Sequence, residues 1–391
     1  MTSSTSCSSK AALLAMSFAA AGMACAAGSR APVHRPGGEV TRVAVLPPDN
    51  LSGGSVPARE LRGAIELALA RRGVEVVSGD LVERFLTRYR LRYTGGLDAT
   101  AAKAAGEEMG VDGVVIATVE QYVAGESPRL ALTLRLVAAS EQATLLWIDG
   151  ISRAGDESPG LLGLGIIRDM PSLQQKVLPK LADSLGRFLE GRGPAAPPCP
   201  DGRRFRPKVP YRSPLLDPKQ AYSVAVVPFR NLAARRGAGE VVALTFARQM
   251  AAVPNFKVIE PGVVRDLLLR FRIVMEGGVS IDQVRSLLGA LGADLVVAGD
   301  VFEFGAGGVP SLNFTATVLE GHNGRIAWQA TSYNAGDDGV FFFDAGMVST
   351  SSALACRMVR SAVDGMLSGK TTPGPTLPTT GPGAPRREPL P

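Results

Sequence analysis

The chain has 391 residues, of which 46% are hydrophobic and 20% are charged. This is two to three times a typical domain length with enough apolar residues to fill ordinary cores, which excludes a wholly disordered or collagen-like chain. The two histidines and four cysteines stand in no metal-ligand spacing, so we predict no zinc site, iron–sulfur cluster, His-dependent catalytic triad or other cofactor.

The formal net charge of +6 is not spread over the chain. The segment 192–221 holds seven basic residues against two acidic ones, and much of the remaining excess lies near the two ends. A nucleic-acid-binding protein usually carries its basic residues on one folded face. We therefore predict no nucleic-acid partner.

The first 25 residues have the pattern of an export signal, followed by a tether over 26–40. A short apolar stretch rich in alanine follows Lys10 and ends in small residues, as in secretory signal peptides. Gly22-Met23-Ala24-Cys25 resembles a bacterial lipobox, which would make Cys25 a lipidated amino terminus. Ala24-Cys25-Ala26 also fits ordinary signal peptidase cleavage, so two readings stay open: an outer-membrane lipoprotein facing the periplasm, or a soluble periplasmic or secreted protein.

Residues 41–191 read as one mixed α/β domain. Valine-rich runs predict strands covered on both faces, apolar residues at helical spacing predict amphipathic helices, and alternating leucines predict a hairpin strand. In chain order the predicted strands are 42–46, 74–77, 113–119, 130–137 and 144–151, and the predicted helices are 58–72, one around 82–89, 98–109 and 172–190.

The same pattern recurs over 222–369. VAVLP at 43–47 returns as VAVVP at 224–228, and Trp147 returns as Trp328, each at a separation of 181 residues. Such regular self-similarity indicates an internal duplication. The predicted fold class is therefore α/β, with two tandem three-layer α/β/α domains, each built on a mixed five-stranded sheet with flanking helices.

Two segments lie outside the repeated units. The Pro- and Arg-rich segment 192–221 predicts a stiff, solvated linker, and the composition of 370–391 predicts a disordered tail. Cys199 in this linker and Cys356 on a late helix would be the two thiols left after export and lipidation. In an oxidising compartment they either pair or remain two free thiols.

Three stretches of sequence carry a family resemblance. VAVLPPDNLSG, VDGVVIATVEQY and LALTLRLVAASEQATLLW in the first copy, with VAVVPFRNL and NGRIAW in the second, are similar to an envelope family. That family contains the amino-terminal domain of the translocation protein TolB, the curli-secretion lipoprotein CsgG and penicillin-binding-protein activator lipoproteins such as LpoB. The resemblance implies a three-layer α/β domain in a periplasmic adaptor that works by binding, without catalysis.

A doubled Arg-aromatic-Arg motif is the first candidate partner site. Its aromatic residues continue a predicted apolar helix stripe, which would turn the flanking arginines toward solvent. These arginines form either a solvated helix end or a contact with an acidic partner or anionic polymer. They are Arg88 and Arg90 in the first copy and Arg270 and Arg272 in the second.

Two further sets of residues are candidates. The loops after the first strand of each copy lie where open α/β sheets usually bind ligands, although their asparagines also fit Asx turns or caps. The residues of these loops are Asn50 and Gly53 in the first copy and Asn231 and Gly237 in the second. Phe341 and Phe342 belong to an apolar cluster that either docks the two copies together or contacts a partner.

Together these patterns predict an exported, lipid-anchored, non-catalytic adaptor that binds an envelope protein. A subunit of an outer-membrane secretion or envelope assembly is the alternative. A weaker alternative is nucleotide or small-ligand binding at the loops after strand one. Neither the oligomeric state nor the identity of the partner follows from the sequence.

Overall fold

The computed structural model describes residues 40–157, 164–273, 277–340 and 346–368. Two α/β halves follow one another, and each contains a mixed sheet with helices on both faces, which confirms the predicted fold class. The elements of the first half are β1 (Arg42–Val45), β2 (Asp49–Asn50), α1 (Ala58–Arg71), β3 (Glu75–Val76), α2 (Gly79–Arg88), α3 (Ala99–Met109), β4 (Gly113–Val123), β5 (Arg129–Ala138), β6 (Leu145–Ala154) and α4 (Met170–Leu189).

The second half repeats this order of elements. A short strand, β7 (Lys208–Arg212), precedes it. Its elements are β8 (Tyr222–Val226), β9 (Arg230–Asn231), α5 (Ala238–Ala251), β10 (Phe256–Val258), α6 (Pro261–Arg270), α7 (Ile281–Leu291), β11 (Leu295–Gly305), β12 (Ser311–Glu320), β13 (Ile326–Ala335) and α8 (Ser351–Leu367).

The two sheets have the same strand order. The first runs β3-β1-β4-β5-β6, with β1 parallel to both of its neighbours and antiparallel pairing from β4 onward. The second runs β10-β8-β11-β12-β13 in the same sense. Each sheet therefore has the predicted five strands, plus a two-residue strand on β4 or β11. The second sheet also gains β7 on the outer side of β13.

Helices cover both faces of each sheet because the strands are apolar on both sides. In the first half, α1 and α4 pack on one face with Trp147, while α2 and α3 pack on the other. In the second half, α5 and α8 cover one face with Trp328, and α6 and α7 cover the other. Both tryptophans are fully buried.

Local sequence signals set the ends of corresponding helices. Asp98 accepts a hydrogen bond from the Ala101 backbone N–H at the start of α3, and Ser280 forms a capping box with Gln283 at the start of α7. Gly110 and Gly292 end these helices in the left-handed conformation. The two halves thus have corresponding caps on α3 and α7 as well as corresponding strands.

The linker is folded, which corrects the prediction of a solvated spacer. Within 192–221, β7 pairs antiparallel with β13, and Phe205 is fully buried in the core of the second half. The Arg212 guanidinium is buried and donates to the carbonyl oxygens of Met366, Ser213 and Leu216. Proline and arginine are compatible with this arrangement because an edge strand tolerates Pro and because these backbone carbonyls satisfy the buried charge.

Candidate functional site

The second half packs directly on the first through helix α5. Helix α1, its counterpart in the first half, has several exposed residues, whereas none of the residues from Ala238 to Met250 in α5 is exposed. Leu244 on α5 packs against Ile148 of β6 and Ala196 of the linker. Helix α5 is therefore covered on one side by its own sheet and on the other by the first half.

Polar contacts accompany this packing. The Arg248 guanidinium donates to the Asp149 carboxylate with an Nη2–Oδ1 distance of 2.6 Å, and both side chains are largely buried. The hydroxyl oxygens of Ser152 and Thr350 lie 2.6 Å apart. The Arg235 guanidinium of the second half donates to the Glu120 carbonyl oxygen of the first. Because every one of these contacts joins the two halves, the halves form one interdependent unit.

A cavity of 590 Å³ lies between the halves beside this interface. It is at the carboxyl end of the first strand of each half, since Asp49 and Leu51 line it after β1 and Val226 and Pro228 line it at the end of β8. Carboxyl ends of parallel strands are where open α/β sheets bind ligands. We call this cavity the inter-half cleft.

A buried ion pair lies at the cleft. Arg135 of β5 donates from Nη1 to the Glu260 Oε1 atom across 3.2 Å, and both side chains are at least 99% buried. Arg135 also donates to the Gly95 carbonyl oxygen, and Glu260 accepts from the Gly262 backbone N–H at the start of α6. Burial raises the pKa of the Glu260 carboxyl, and the nearby Arg135 charge opposes that rise.

Asp49, Tyr93 and Gly95 form one wall of the cleft. A Cβ atom on Gly95 would overlap the Asp49 carboxylate and lie 2.6 Å from the Tyr93 hydroxyl oxygen, so a larger residue here would displace these two side chains. Burial raises the pKa of Asp49, against the opposing charges of Arg135 and Arg265. Burial and the charge of Asp49 raise the pKa of Tyr93 to about 12.

Arg265 and Glu240 lie on the opposite wall, which the second half supplies. The Arg265 guanidinium carbon lies 3.7 Å from the centroid of the Tyr93 ring, a cation–π contact between the halves. Burial raises the pKa of Glu240, Asp49 adds to that rise, and Arg265 opposes it. The cleft therefore brings together carboxyls whose pKa values are raised and the guanidinium groups of arginine residues.

The polar groups of the cleft are hydroxyls, carboxyls and guanidinium groups. Histidine, cysteine and serine are absent from the described residues that line it, and its hydroxyl groups belong to Thr118 and Tyr93. Among residues 40–157, 164–273, 277–340 and 346–368, no group of three or more His, Cys, Asp or Glu side chains is arranged to hold a metal ion.

In the loops predicted to bind ligands, the asparagine side chains stabilise the loops themselves. The Asn50 side chain accepts from the Ser52 backbone N–H and donates to the Gly54 carbonyl oxygen, and Asn231 makes the equivalent contacts with Ala233 and Arg235. Their amides are thus engaged within their own turns. The immediate neighbours of Asn50, Asp49 and Leu51, line the cleft instead.

The two loop glycines differ in their surroundings. Gly53 has a φ of +79°, with no atom within 4 Å of an added Cβ. Gly237 has a φ of +72° and begins α5, where an added Cβ would lie 3.1 Å from the Leu51 carbonyl oxygen. Gly237 therefore lies at the contact between the halves.

The Arg-aromatic-Arg motifs lie at the carboxyl ends of α2 and α6. Tyr89 is 38% exposed and Phe271 is 53% exposed, which corrects the expectation that they continue the buried helix stripe. Each helix ends one residue before the aromatic residue, so the ring leaves the apolar face. We call residues 88–90 and 270–272 the two arginine corners.

The arginines of the two corners have corresponding but unequal environments. Arg88 pairs with Glu108 across 3.1 Å, and Arg270 pairs with Asp266 across 2.7 Å. Arg90 and Arg272 adopt left-handed backbone conformations, with φ of 52° and 56°. Arg272 also lines the inter-half cleft, so one corner adjoins this cavity.

The other sequence-predicted residues lie in different places. Cys199 and Cys356 form a disulfide with 5.4 Å between their Cα atoms, which joins the linker to α8. Cys25, Phe341 and Phe342 lie outside the described residues. No helix in the part of the chain that the structure describes combines the length and apolar character needed to cross a membrane.

Sequence reasoning missed most of the cleft residues. One available signal was Arg135, a charged residue in the otherwise apolar strand LALTLRLVA. Another was α5, whose sequence AGEVVALTFARQMA is apolar around most of its circumference. Such a helix is buried on more than one side. Together these signals indicate that each half has a buried surface in addition to the one between its own sheet and helices.

Comparison with known proteins found similarity only among solved structures. No family model matches the chain, and no curated protein does either. The chain is similar to the PelC dodecamer from Paraburkholderia phytofirmans, with 16% identity, a TM-score of 0.27, and coverage of 42% of this chain and 96% of that one.

Two other solved structures are similar to the chain at the same level. Lipoprotein GNA1162 from Neisseria meningitidis is 18% identical, with a TM-score of 0.27 and coverage of 37% of this chain and 99% of that one. The LpoB C-terminal domain from Salmonella enterica is 20% identical, with a TM-score of 0.26 and coverage of 30% and 87%. Similarity at this level does not assign a function.

Proposed function

We propose that this chain is a non-catalytic adaptor of the bacterial envelope that captures a protein partner through its two arginine corners. The partner would present acidic groups to the arginines and an apolar surface to the exposed aromatic rings. Arginine and aromatic residues are the types that contribute most to binding at protein interfaces. The adaptor would work from outside the cytoplasm, attached to the outer membrane by a lipid on Cys25.

The observation that carries this proposal is the repeated left-handed arginine. A non-glycine residue in this conformation costs about 1–2 kcal/mol, which glycine would avoid. Both copies nevertheless place arginine there, at Arg90 and Arg272. Strained backbone of this kind is concentrated at functional sites. We infer that the guanidinium group at each position has a use that offsets its conformational cost.

The disulfide supports the proposed location. Cysteine pairs persist mainly in oxidising compartments such as the periplasm and are rare in the cytosol. The bond between Cys199 and Cys356 therefore fits an exported chain better than a cytosolic one.

Substitution of both corners tests partner capture. We expect the quadruple variant Arg88→Ser, Arg90→Gly, Arg270→Ser and Arg272→Gly to lose at least about tenfold in capture, because interface arginines of this type are frequent hot spots. Glycine at positions 90 and 272 favours the existing backbone, so the fold should remain stable. Capture is measured by in-cell crosslinking, pull-down and quantitative mass spectrometry, with unfolding midpoints recorded alongside.

The control removes exposed arginines away from the corners. Arg59 and Arg71 on α1 are exposed and have no ion pair within the described residues. Arg59→Ser with Arg71→Ser should leave capture unchanged. Undiminished capture by the corner variant, or an equal loss in the control, would contradict the corners as the partner surface.

The lipid anchor has its own test. We expect Cys25→Ser to abolish incorporation of radiolabelled palmitate and to release the protein from the membrane fraction, because no acyl chain can then be attached. Cys199→Ala, which leaves the amino-terminal cysteine intact, should still incorporate the label. Continued labelling of the Cys25→Ser variant would exclude this cysteine as the site of acylation.

A further inference from the structure

We propose that the inter-half cleft binds a small molecule with an apolar body and one anionic group, a carboxylate or a phosphate. This inference goes beyond the adaptor role and does not depend on it. The cleft has a volume of 590 Å³, within the usual range of small-molecule sites, about 300–1,000 Å³. Its position between two halves is also typical of such sites.

Apolar side chains from both halves supply the surface for the body of the ligand. Leu51 comes from the first half, and Val226, Leu244 and Ile273 come from the second. Leu269 also lines the cleft and is 49% exposed, so the cavity communicates with the surface on that side. A hydrocarbon chain inserted here would remove apolar area from water on both walls, which favours binding by about 25 cal/mol per Å².

Arg265 is the group best placed to bind the anion. Arg135 is already committed to Glu260, whereas the Arg265 guanidinium forms no hydrogen bond or ion pair with any described residue. The Tyr93 ring beneath it leaves its N–H edges available, since a cation–π contact uses only the face of the group. A carboxylate or phosphate accepts bidentate hydrogen bonds from such a fork.

The acidic groups of the cleft are compatible with an anionic ligand. Burial raises the pKa values of Asp49 and Glu240, and the charge of Asp49 adds to the rise at Glu240. A higher pKa makes it easier for a carboxyl to take up a proton when an anion approaches, and a protonated carboxyl donates a hydrogen bond to the anion. The Nε atom of Arg135 is buried without a hydrogen-bond partner in the described structure, which leaves one more unused donor beside the cleft.

The absence of a side chain at Gly95 is what leaves room for polar groups at the cleft wall. Any Cβ there would overlap Asp49 and Tyr93. The Gly95 backbone carbonyl at the same time anchors Arg135. The first half thus orders its polar groups by backbone contacts, and the second half adds Arg265 opposite them.

Isothermal titration calorimetry on the full chain tests the proposal. The chain carries Cys25→Ser so that neither a lipid anchor nor a detergent competes for the cleft. The probes are decanoate, decyl phosphate, decan-1-ol and decylamine, which share one hydrocarbon chain. We expect at least one anionic probe to bind saturably and about tenfold more tightly than the alcohol or the amine, since a hydrogen bond to a charged group is roughly twice as strong as one between neutral groups.

Matched arginine variants identify the group responsible. Arg265→Gln should weaken binding of the anion about tenfold or more and leave the alcohol unchanged, while Arg265→Lys should retain the preference for the anion. Arg285→Gln makes the same charge change on α7, at a residue outside both the cleft lining and the arginine corners, and it should bind like the parent chain. Unfolding midpoints verify that each variant is folded.

Several results would overturn the proposal. These are the absence of saturable binding by every probe, equal affinity for the anionic, neutral and cationic probes, or unchanged anion affinity in folded Arg265→Gln. Because Arg265 lies outside the arginine corners, partner capture can be measured on the same variant. Loss of capture without loss of probe binding would implicate Arg265 in the adaptor surface and reject its role in the cleft.

Discussion

Arg135→Met should destabilise the folded chain by about 3–5 kcal/mol at neutral pH, because it leaves the buried Glu260 carboxylate without its counter-charge. The double variant Arg135→Met with Glu260→Gln should recover much of this loss. It removes both charges and keeps an acceptor for the Gly262 backbone N–H. Chemical denaturation monitored by circular dichroism measures the free energies of unfolding.

The loss should also depend on pH. Burial raises the pKa of Glu260, so this carboxyl stabilises the fold below its ordinary pKa of about 4.3 and loses that contribution as pH rises through the raised value. Removing Arg135 raises this pKa further. The deficit of Arg135→Met should therefore be smallest near about pH 4 and grow toward neutrality.

An exposed ion pair provides the control. Lys103 contacts Glu141 at the surface, where solvent and salt screen the interaction, so Lys103→Met should change stability little at any pH. A loss of stability in Arg135→Met that does not vary with pH, or one no larger than in the control, would contradict a stabilising charge interaction between Arg135 and Glu260.

Removing the disulfide should cost about 2–5 kcal/mol of unfolding free energy, because the bond closes a separation of 157 residues in the unfolded chain. The double variant Cys199→Ala with Cys356→Ala avoids burying new hydroxyl groups, since Cys199 is fully buried and Cys356 nearly so. Denaturation curves of the parent chain with and without reductant should differ by a similar amount.

The double-alanine variant is its own control, because reductant should not change its stability. Alkylation of the unreduced parent chain under denaturing conditions should leave both thiols unmodified, as read by a gel shift. Two modified thiols in that sample would contradict the disulfide.

The repeated fold could be predicted because its signals are local. Val43 to Val45 and Val224 to Val226 are short apolar runs, and such runs form strands buried on both faces in either half. The leucines of β5 alternate, which correctly places Leu130 and Leu132 in the core beneath α1 and α4. The spacing of the apolar residues and the turn-forming residues between them were enough to predict these elements.

The cleft could not be predicted in the same way. Thr133 and Arg135 alternate with the leucines of β5, and this pattern is identical whether the polar face meets water or another polar surface. In the structure both residues are buried: Arg135 pairs with Glu260 of the second half, and Thr133 donates a hydrogen bond to the Glu120 carboxylate of its own half. Contacts between elements more than a hundred residues apart leave no periodic signal within either element, and Glu260 lies 125 residues beyond Arg135.

The linker shows how composition misleads when tertiary contacts dominate. Pro198, Pro200 and the arginines around 203–206 predict a solvated spacer. Yet Cys199 and Phe205 anchor this stretch in the core of the second half. A few buried side chains outweigh the preferences of the many polar residues between them.

The edge position of β7 limits how a further chain could attach. An unpaired outer strand ordinarily serves as a template on which a foreign strand can add. Here the polypeptide fills that place along β13 with its own Lys208–Arg212 segment. A strand that adds at this rim would have to pair with β7 itself, where Pro210 offers no backbone N–H, so a stable complex formed there should instead engage side chains on helices and turns.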